Sequence, residues 1–135
     1  MKKLTCILLV DDNPADNTFH KINIKESGTC EHVEVAADGK KALEYLIHSS
    51  EASNDFPKPD IIFLDINMPK MDGFEFLEEY KKLDDKIKSR VLIIMLSTSL
   101  NPDDQKRALL YDEIVEFQNK PLETGTLKQI VDRYF

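Results

Sequence analysis

The chain lacks an excess of positive charge. Its 18 Lys and Arg stand against 25 Asp and Glu, a net charge of −7. That balance leaves no electrostatic footprint for DNA or RNA, and none for polybasic docking on a membrane. A long apolar run is also missing. The longest clean one, residues 91–96, has six residues, where roughly 20 are needed to cross a bilayer. Residues 1–10 carry two early lysines and an apolar stretch, but the stretch is short and ends at Asp11-Asp12 with no small-residue cleavage site, so no secretory leader is expected. Cysteine is scarce. Cys6 and Cys30 share no short spacing and read as reduced thiols buried near strands, not as a disulfide framework. There is no Asn-x-Ser/Thr acceptor, and none of His20, His32 and His48 has a partner at zinc-ligand spacing. The expectation is a cytoplasmic chain without nucleic-acid or membrane partners. Its 135 residues suit one domain, 1–135, able to bury a core without staples.

What is present is an alternation. Residues 4–10 form an apolar run that stops at a charged turn, as a strand buried on both faces does. Asn13-Pro14 then offers a cap and a first-turn proline, Ala15, Phe19 and Ile22 recur at helical spacing, and Gly28 closes the helix. Residues 33–36 read as a second strand. Ala42, Leu43, Leu46 and Ile47 make the next helical stripe after the Asp38-Gly39 turn. Residues 49–59, with Asn54-Asp55 and two prolines, form the longest loop. Residues 61–64 are a third strand ending at Asp65, and Phe74, Leu77 and Tyr80 begin a third helix. Residues 91–96 are a fourth strand followed by Ser97-Thr98-Ser99. Asn101-Pro102 opens a helix to Leu110, residues 114–117 are a fifth strand, and Leu127, Ile130, Val131 and Tyr134 share one face of a last helix. Five β-α units with apolar strands imply an α/β fold with a parallel sheet covered on both faces.

In such a sheet ligands bind beyond the carboxyl ends of the strands. Asp11 and Asp12 fall there after strand one, Asp65 after strand three, Ser97 and Thr98 after strand four, and Lys120 after strand five. Taken singly, each has an ordinary explanation: a strand end or helix cap, a turn residue, loop chemistry, an exposed lysine. Together they form a chemical set. Three adjacent carboxylates raise one another's pKa unless a cation intervenes. A hard divalent cation such as Mg²⁺ takes oxygen ligands and keeps waters that phosphate oxygens can replace. A lysine and a hydroxyl complete a phosphoryl-binding group, and a carboxylate can serve as nucleophile toward phosphorus.

The segments Leu8-Leu9-Val10-Asp11-Asp12, Asp65-Ile66-Asn67-Met68-Pro69-Lys70-Met71-Asp72-Gly73, Met95-Leu96-Ser97-Thr98 and Asn119-Lys120-Pro121 make the chain resemble the receiver domain of two-component response regulators over essentially its full length. The resemblance implies a CheY-like, flavodoxin-like (βα)5 sheet of order 2-1-3-4-5. It implies that Asp65 is the phosphoacceptor, that Mg²⁺ is held directly by Asp12 and largely through water by Asp11, with Asp65 and the Asn67 backbone carbonyl as further ligands, that Lys120 pairs with a phosphoryl oxygen, and that Ser97, Thr98 and Phe117 form the switch. The donor would be a phosphohistidine on a sensor histidine kinase or histidine phosphotransfer protein. Kinase docking would fall on the first helix, around Pro14, Ala15, Asp16 and the Phe19 flank, with His20 read as a solvent-facing helical residue. The signal would leave by the face of the fourth helix, fifth strand and fifth helix, toward a protein target or a homodimer partner. No output domain is expected behind Phe135.

Departures from the family pattern are Leu122 for the Phe common after Lys-Pro, Ser97 for Thr, and Thr98 where Ala is common; Asn67 and Ser99 occupy positions that tune hydrolysis. The long 49–59 loop with the Ser97-Thr98-Ser99 run is similar to phytochrome-associated receivers. Two other classes compete. One is a Mg-dependent phosphohydrolase working through an aspartyl phosphate, which would want an Asp two residues after the nucleophile where the chain has Asn67. The other is an unphosphorylated pseudo-receiver, which would be expected to lose Asp65 or Lys120. A calcium loop is excluded because Lys70 stands where Gly is required.

Overall fold

The computed structural model describes residues 3–51, 56–88, 90–98 and 101–135. In chain order the elements are β1 (Leu4–Val10), α1 (Pro14–Ser27), β2 (Cys30–Ala36), α2 (Gly39–Ser49), β3 (Ile61–Asp65), α3 (Gly73–Tyr80), α4 (Asp85–Lys88), β4 (Leu92–Ser97), α5 (Pro102–Ala108), β5 (Ile114–Asn119) and α6 (Thr124–Tyr134). The five strands are all parallel, in the order β2-β1-β3-β4-β5. This is the flavodoxin-like arrangement that the motifs imply.

Side chains alternate across the strands with period two, except where a bulge in β5 shifts its register between Ile114 and Glu116. Leu8, Val10, Ile62, Leu64, Ile93 and Met95 face the core beneath α2 and α3, with Leu46, Phe74 and Leu77. Ile7, Leu9, Ile61, Phe63, Ile94 and Leu96 face the opposite core, with Ile24 from α1 and Leu127, Ile130 and Val131 from α6. Both cores sit against the middle of the sheet, so the strand ends are left for polar work.

Capping follows the sequence closely. The Asn13 side chain accepts from the Asp16 N–H, Pro14 stands in the first turn, and Gly28 closes α1 at φ 68° with its N–H on the Lys25 carbonyl. Asp38 and Asn101 cap α2 and α5 in the same way, and Asp72 with Glu75 forms a reciprocal capping box on α3.

Four expectations are corrected. The apolar spacing predicts Phe19 and Ile22 as the inward stripe of α1, yet both are about half exposed. The buried positions are Asn17, His20, Ile24 and Ser27, so His20 is an interior residue rather than a solvent-facing one. Some of these inward polar groups find partners: the Asn17 Nδ2 donates to the Asp11 carbonyl at 2.9 Å, while its buried Oδ1 has none, and Ser27 pairs with Thr29 at 2.7 Å. On α2, Tyr45 is buried while Ile47 is exposed. The one-turn helix α4 is additional, which makes the expected output face α5, β5 and α6. Finally, α5 ends at Ala108 rather than Leu110, and β2 and β5 are longer than the apolar runs suggest, because ladder hydrogen bonding continues through polar residues.

Two glycines show what the fold tolerates around the rim. A Cβ on Gly73 would meet the Asp65 carbonyl oxygen at 2.6 Å and the Ile66 Cα at 3.0 Å, whereas one on Gly39 would meet the flexible Met71 side chain. Gly73→Ala is expected to destabilise the protein by about 1–3 kcal/mol in urea unfolding, and Gly39→Ala by less, because backbone cannot step aside as a thioether can.

Candidate functional site

Parallel strands deliver their carboxyl ends to one edge. Asp11 extends β1 by one residue, its N–H on the Ala36 carbonyl at 3.1 Å. Its side chain accepts from the Asn13 N–H at 3.0 Å. Asp65 is the last residue of β3, directly paired with Leu96, so Ser97 lies one residue further along the neighbouring strand. The Lys120 N–H bonds the Ser97 carbonyl at 2.8 Å, carrying the β4–β5 ladder one step past Asn119. The Lys120–Pro121 peptide is cis.

These anchors bring Asp11, Asp12, Asp65 and Lys120 together. Carboxylate oxygens of the three aspartates lie within 4.8 Å of one another. The Lys120 ammonium donates to Asp11 Oδ2 at 2.6 Å and Asp16 Oδ2 at 3.0 Å, and approaches Asp65 Oδ1 at 3.4 Å. The Lys120, Asp11 and Asp65 side chains are each less than a tenth exposed, while Asp12 is open to solvent. Ser97 is fully buried at the end of β4, and Thr98 beyond it is exposed. Asn67 is exposed in the loop after β3. Phe117 stands apart from the carboxylates, partly buried in mid-β5 beside Met95. Ser99 lies outside the described residues, as do residues 52–55 of the long loop.

The electrostatics follow from burial. Desolvation pushes the Asp65 carboxyl up; Lys120 pulls it down, Asp11 and Asp12 push it up again, and it comes to rest at about 6. Burial alone would lower the Lys120 ammonium, but its bonds to Asp11 and Asp16 and the charge of Asp65 outweigh that and raise it to about 12. His20 is lowered, by burial and then by Lys120, against the pull of Asp16 and Asp11.

The donor set fits a hard divalent cation. It consists of three clustered carboxylates with no sulfur in the group, two of them buried and one open to water, which is the mixture of protein oxygens and waters that Mg²⁺ accepts. Sequence reasoning missed two participants: Asp16 as a direct partner of Lys120, and Asn17 as a bracket on the Asp11 carbonyl. The signal for Asp16 was available, since a residue in the first turn after an Asn-Pro cap is held beside the strand end from which the helix springs.

Residues 7–132 match the model of the response regulator receiver domain. The chain belongs to this family. Response regulator Rcp1 of Synechocystis is 38% identical over 98 residues, covering 73% of this chain and 65% of that relative. The chain thus spans just under two thirds of that relative's length. Among solved structures, a two-component response regulator from Cytophaga hutchinsonii superposes with a TM-score of 0.87 at 28% identity, over 98% of both chains. The bacteriophytochrome response regulator AtBRR gives 0.75 at 30% identity, over 98% of this chain and 93% of that one. No described helix is long and apolar enough to cross a membrane.

The raised Asp65 carboxyl sets a pH dependence. Between pH of about 4 and 6 the folded carboxyl keeps a proton that the unfolded one releases, so its contribution to stability is present on the acid side and is lost as pH rises through about 6. Without metal, Asp65→Asn is expected to exceed the parent in stability at pH 7 by roughly 2 kcal/mol, with the gap closing toward pH 4. Urea unfolding at the two pH values checks this, and a gap independent of pH would contradict it.

Proposed function

We propose that Asp65 accepts a phosphoryl group from a phosphohistidine on a sensor histidine kinase or histidine phosphotransfer protein, in a Mg²⁺-dependent reaction, and that the chain signals by the resulting change of shape. The observation carrying this reading is the 3.4 Å approach of the Lys120 ammonium to Asp65 Oδ1 within the carboxylate cluster. A fixed cation beside a nearly buried carboxylate neutralises charge that would otherwise oppose an incoming phosphoryl group.

Asp11, Asp12, Asp65 and the Asn67 carbonyl would hold Mg²⁺, which supplies further positive charge to the phosphoryl oxygens. An Asp65 oxygen attacks phosphorus in line, the phosphorus–nitrogen bond of the phosphohistidine breaks, and the imidazole leaves with the bonding pair. Lys120 pairs with a phosphoryl oxygen in the aspartyl phosphate, which water later cleaves. In this reading the protein is a switch that promotes only its own phosphorylation and dephosphorylation.

The added charge and acceptor oxygens draw the Ser97 hydroxyl inward, with Thr98 following at the rim, and Phe117 turns into the space beneath. Phe117 already lines a groove of about 290 Å³ with Gln105, Leu109, Tyr111 and Val115. Leu109 and Leu110 beside it are 85% and 79% exposed. An apolar surface of this kind, at the turn after α5 and along β5, suits a protein target or a homodimer partner, rather than nucleic acid. On the kinase side, half-exposed Phe19 and Ile22 supply the apolar contact that α1 would offer a helical bundle. The likeness to AtBRR supports a phytochrome-linked kinase as the donor. We read residues 1–135 as one cytoplasmic receiver unit whose output is protein contact.

Incubation with acetyl phosphate and Mg²⁺ is expected to add one phosphoryl group by intact mass, and neither Asp65→Asn nor protein in EDTA should gain it. Full modification of Asp65→Asn would move the acceptor elsewhere. Phe117→Ala should still take up the group but lose most of the phosphorylation-dependent amide shifts in α5, β5 and α6 by NMR. Unchanged shifts in that variant would break the proposed coupling.

A further inference from the structure

Both oxygens of Asp11 are occupied: Oδ1 accepts from the Asn13 N–H at 3.0 Å and Oδ2 from the Lys120 ammonium at 2.6 Å. Each oxygen keeps a second lone pair, so a cation drawn to Asp11 would lie beside that ammonium and repel it at close range. Two carboxylates remain within its reach. Asp65 is itself a member of the clustered set, so it would carry the same cation. Asp16, at 3.0 Å, is not in that set. Its backbone is held by the Asn13 cap at the start of α1, while its side chain is partly exposed. Of the three aspartates around Lys120, it is the one whose charge the metal does not claim.

We infer that Asp16 is a positioning residue for Lys120: it retains the ammonium at the rim when a divalent cation takes Asp11, and so makes metal binding and lysine placement compatible. Without Asp16 the ammonium and the cation compete for the same carboxylates, and like charges held this close repel strongly. With it, the ammonium shifts toward α1 while staying within reach of a group on Asp65. The inference rests on the reading of Asp11, Asp12 and Asp65 as metal ligands, and it gives Asp16 a role separate from the docking surface.

The test is a Mn²⁺ titration of unphosphorylated protein, followed by the EPR signal of free Mn²⁺. Asp16→Ala is expected to weaken binding about five-fold, the scale of a partly exposed ion pair, and Asp16→Glu to stay within about two-fold of the parent. Lys120→Met should bind more tightly than the parent, and on that background Asp16→Ala should change affinity by less than about two-fold, because the lysine through which Asp16 acts is gone. Unchanged binding in Asp16→Ala overturns the inference. So does an equal loss with and without Lys120, which would make Asp16 a direct contributor to the metal's field. Asp16→Asn, nearly isosteric, runs in parallel in case the alanine variant does not fold. The phosphoacceptor reading fails separately: the parent then binds Mn²⁺ as expected but gains no phosphoryl group from acetyl phosphate.

Discussion

Three carboxylates gathered at the edge of a sheet repel one another, and two of them have lost most of their water. That arrangement persists only if positive charge is built in. Lys120 supplies it, reaching Asp11, Asp16 and Asp65 from the far end of the sequence. Its position depends on backbone: the bond from its N–H to the Ser97 carbonyl carries the last strand pairing one residue beyond β5. The sheet's register therefore sets the charge balance. A slip of one residue in β5 would turn the ammonium to the other face and leave buried carboxylates without a counter-charge, a far larger penalty than the lost packing.

The same constraint explains the otherwise odd interior of α1. A helix packed on a sheet normally turns its apolar stripe inward. Here Asn17 and His20 are inward and Phe19 and Ile22 outward. Asn17 steadies the Asp11 backbone, and buried His20 feels the charges of Lys120, Asp16 and Asp11. The helix still closes the opposite end of its core through Ile24. One element thus carries the site at its first turns, packing at its last turns, and an apolar surface on its outer side.

Between the rim and the α5–β5 groove lies a short physical path. Asp65 ends β3, Ser97 ends the adjacent β4, and Phe117 sits beside Met95 on β5. Each step crosses one strand pairing of a rigid sheet, so the compliant parts are side chains and the loops beyond the strand ends. In the proposed switch, a charge placed on Asp65 acts where the structure can yield, and the two cores stay intact.

Composition and periodicity alone determined the five β-α units, the parallel sheet, and the convergence of Asp11, Asp12, Asp65, Ser97 and Lys120 on one edge. Those features depend on local rules: strands buried on both faces are apolar throughout, Asn-Pro starts helices, and chain direction puts every carboxyl end on the same side. The motif resemblance added the strand order. Tertiary structure alone decided which face of α1 turns inward, that His20 is buried, that Asp16 bonds Lys120, and that Tyr45 rather than Ile47 packs under α2. Hydrophobic spacing assumes that polar groups seek water, and near the rim some, such as the Asn17 amide nitrogen and the Lys120 ammonium, find protein partners instead. Whether a polar side chain has such a partner depends on residues as far apart as Asp11 and Lys120, a distance in sequence that no local pattern spans.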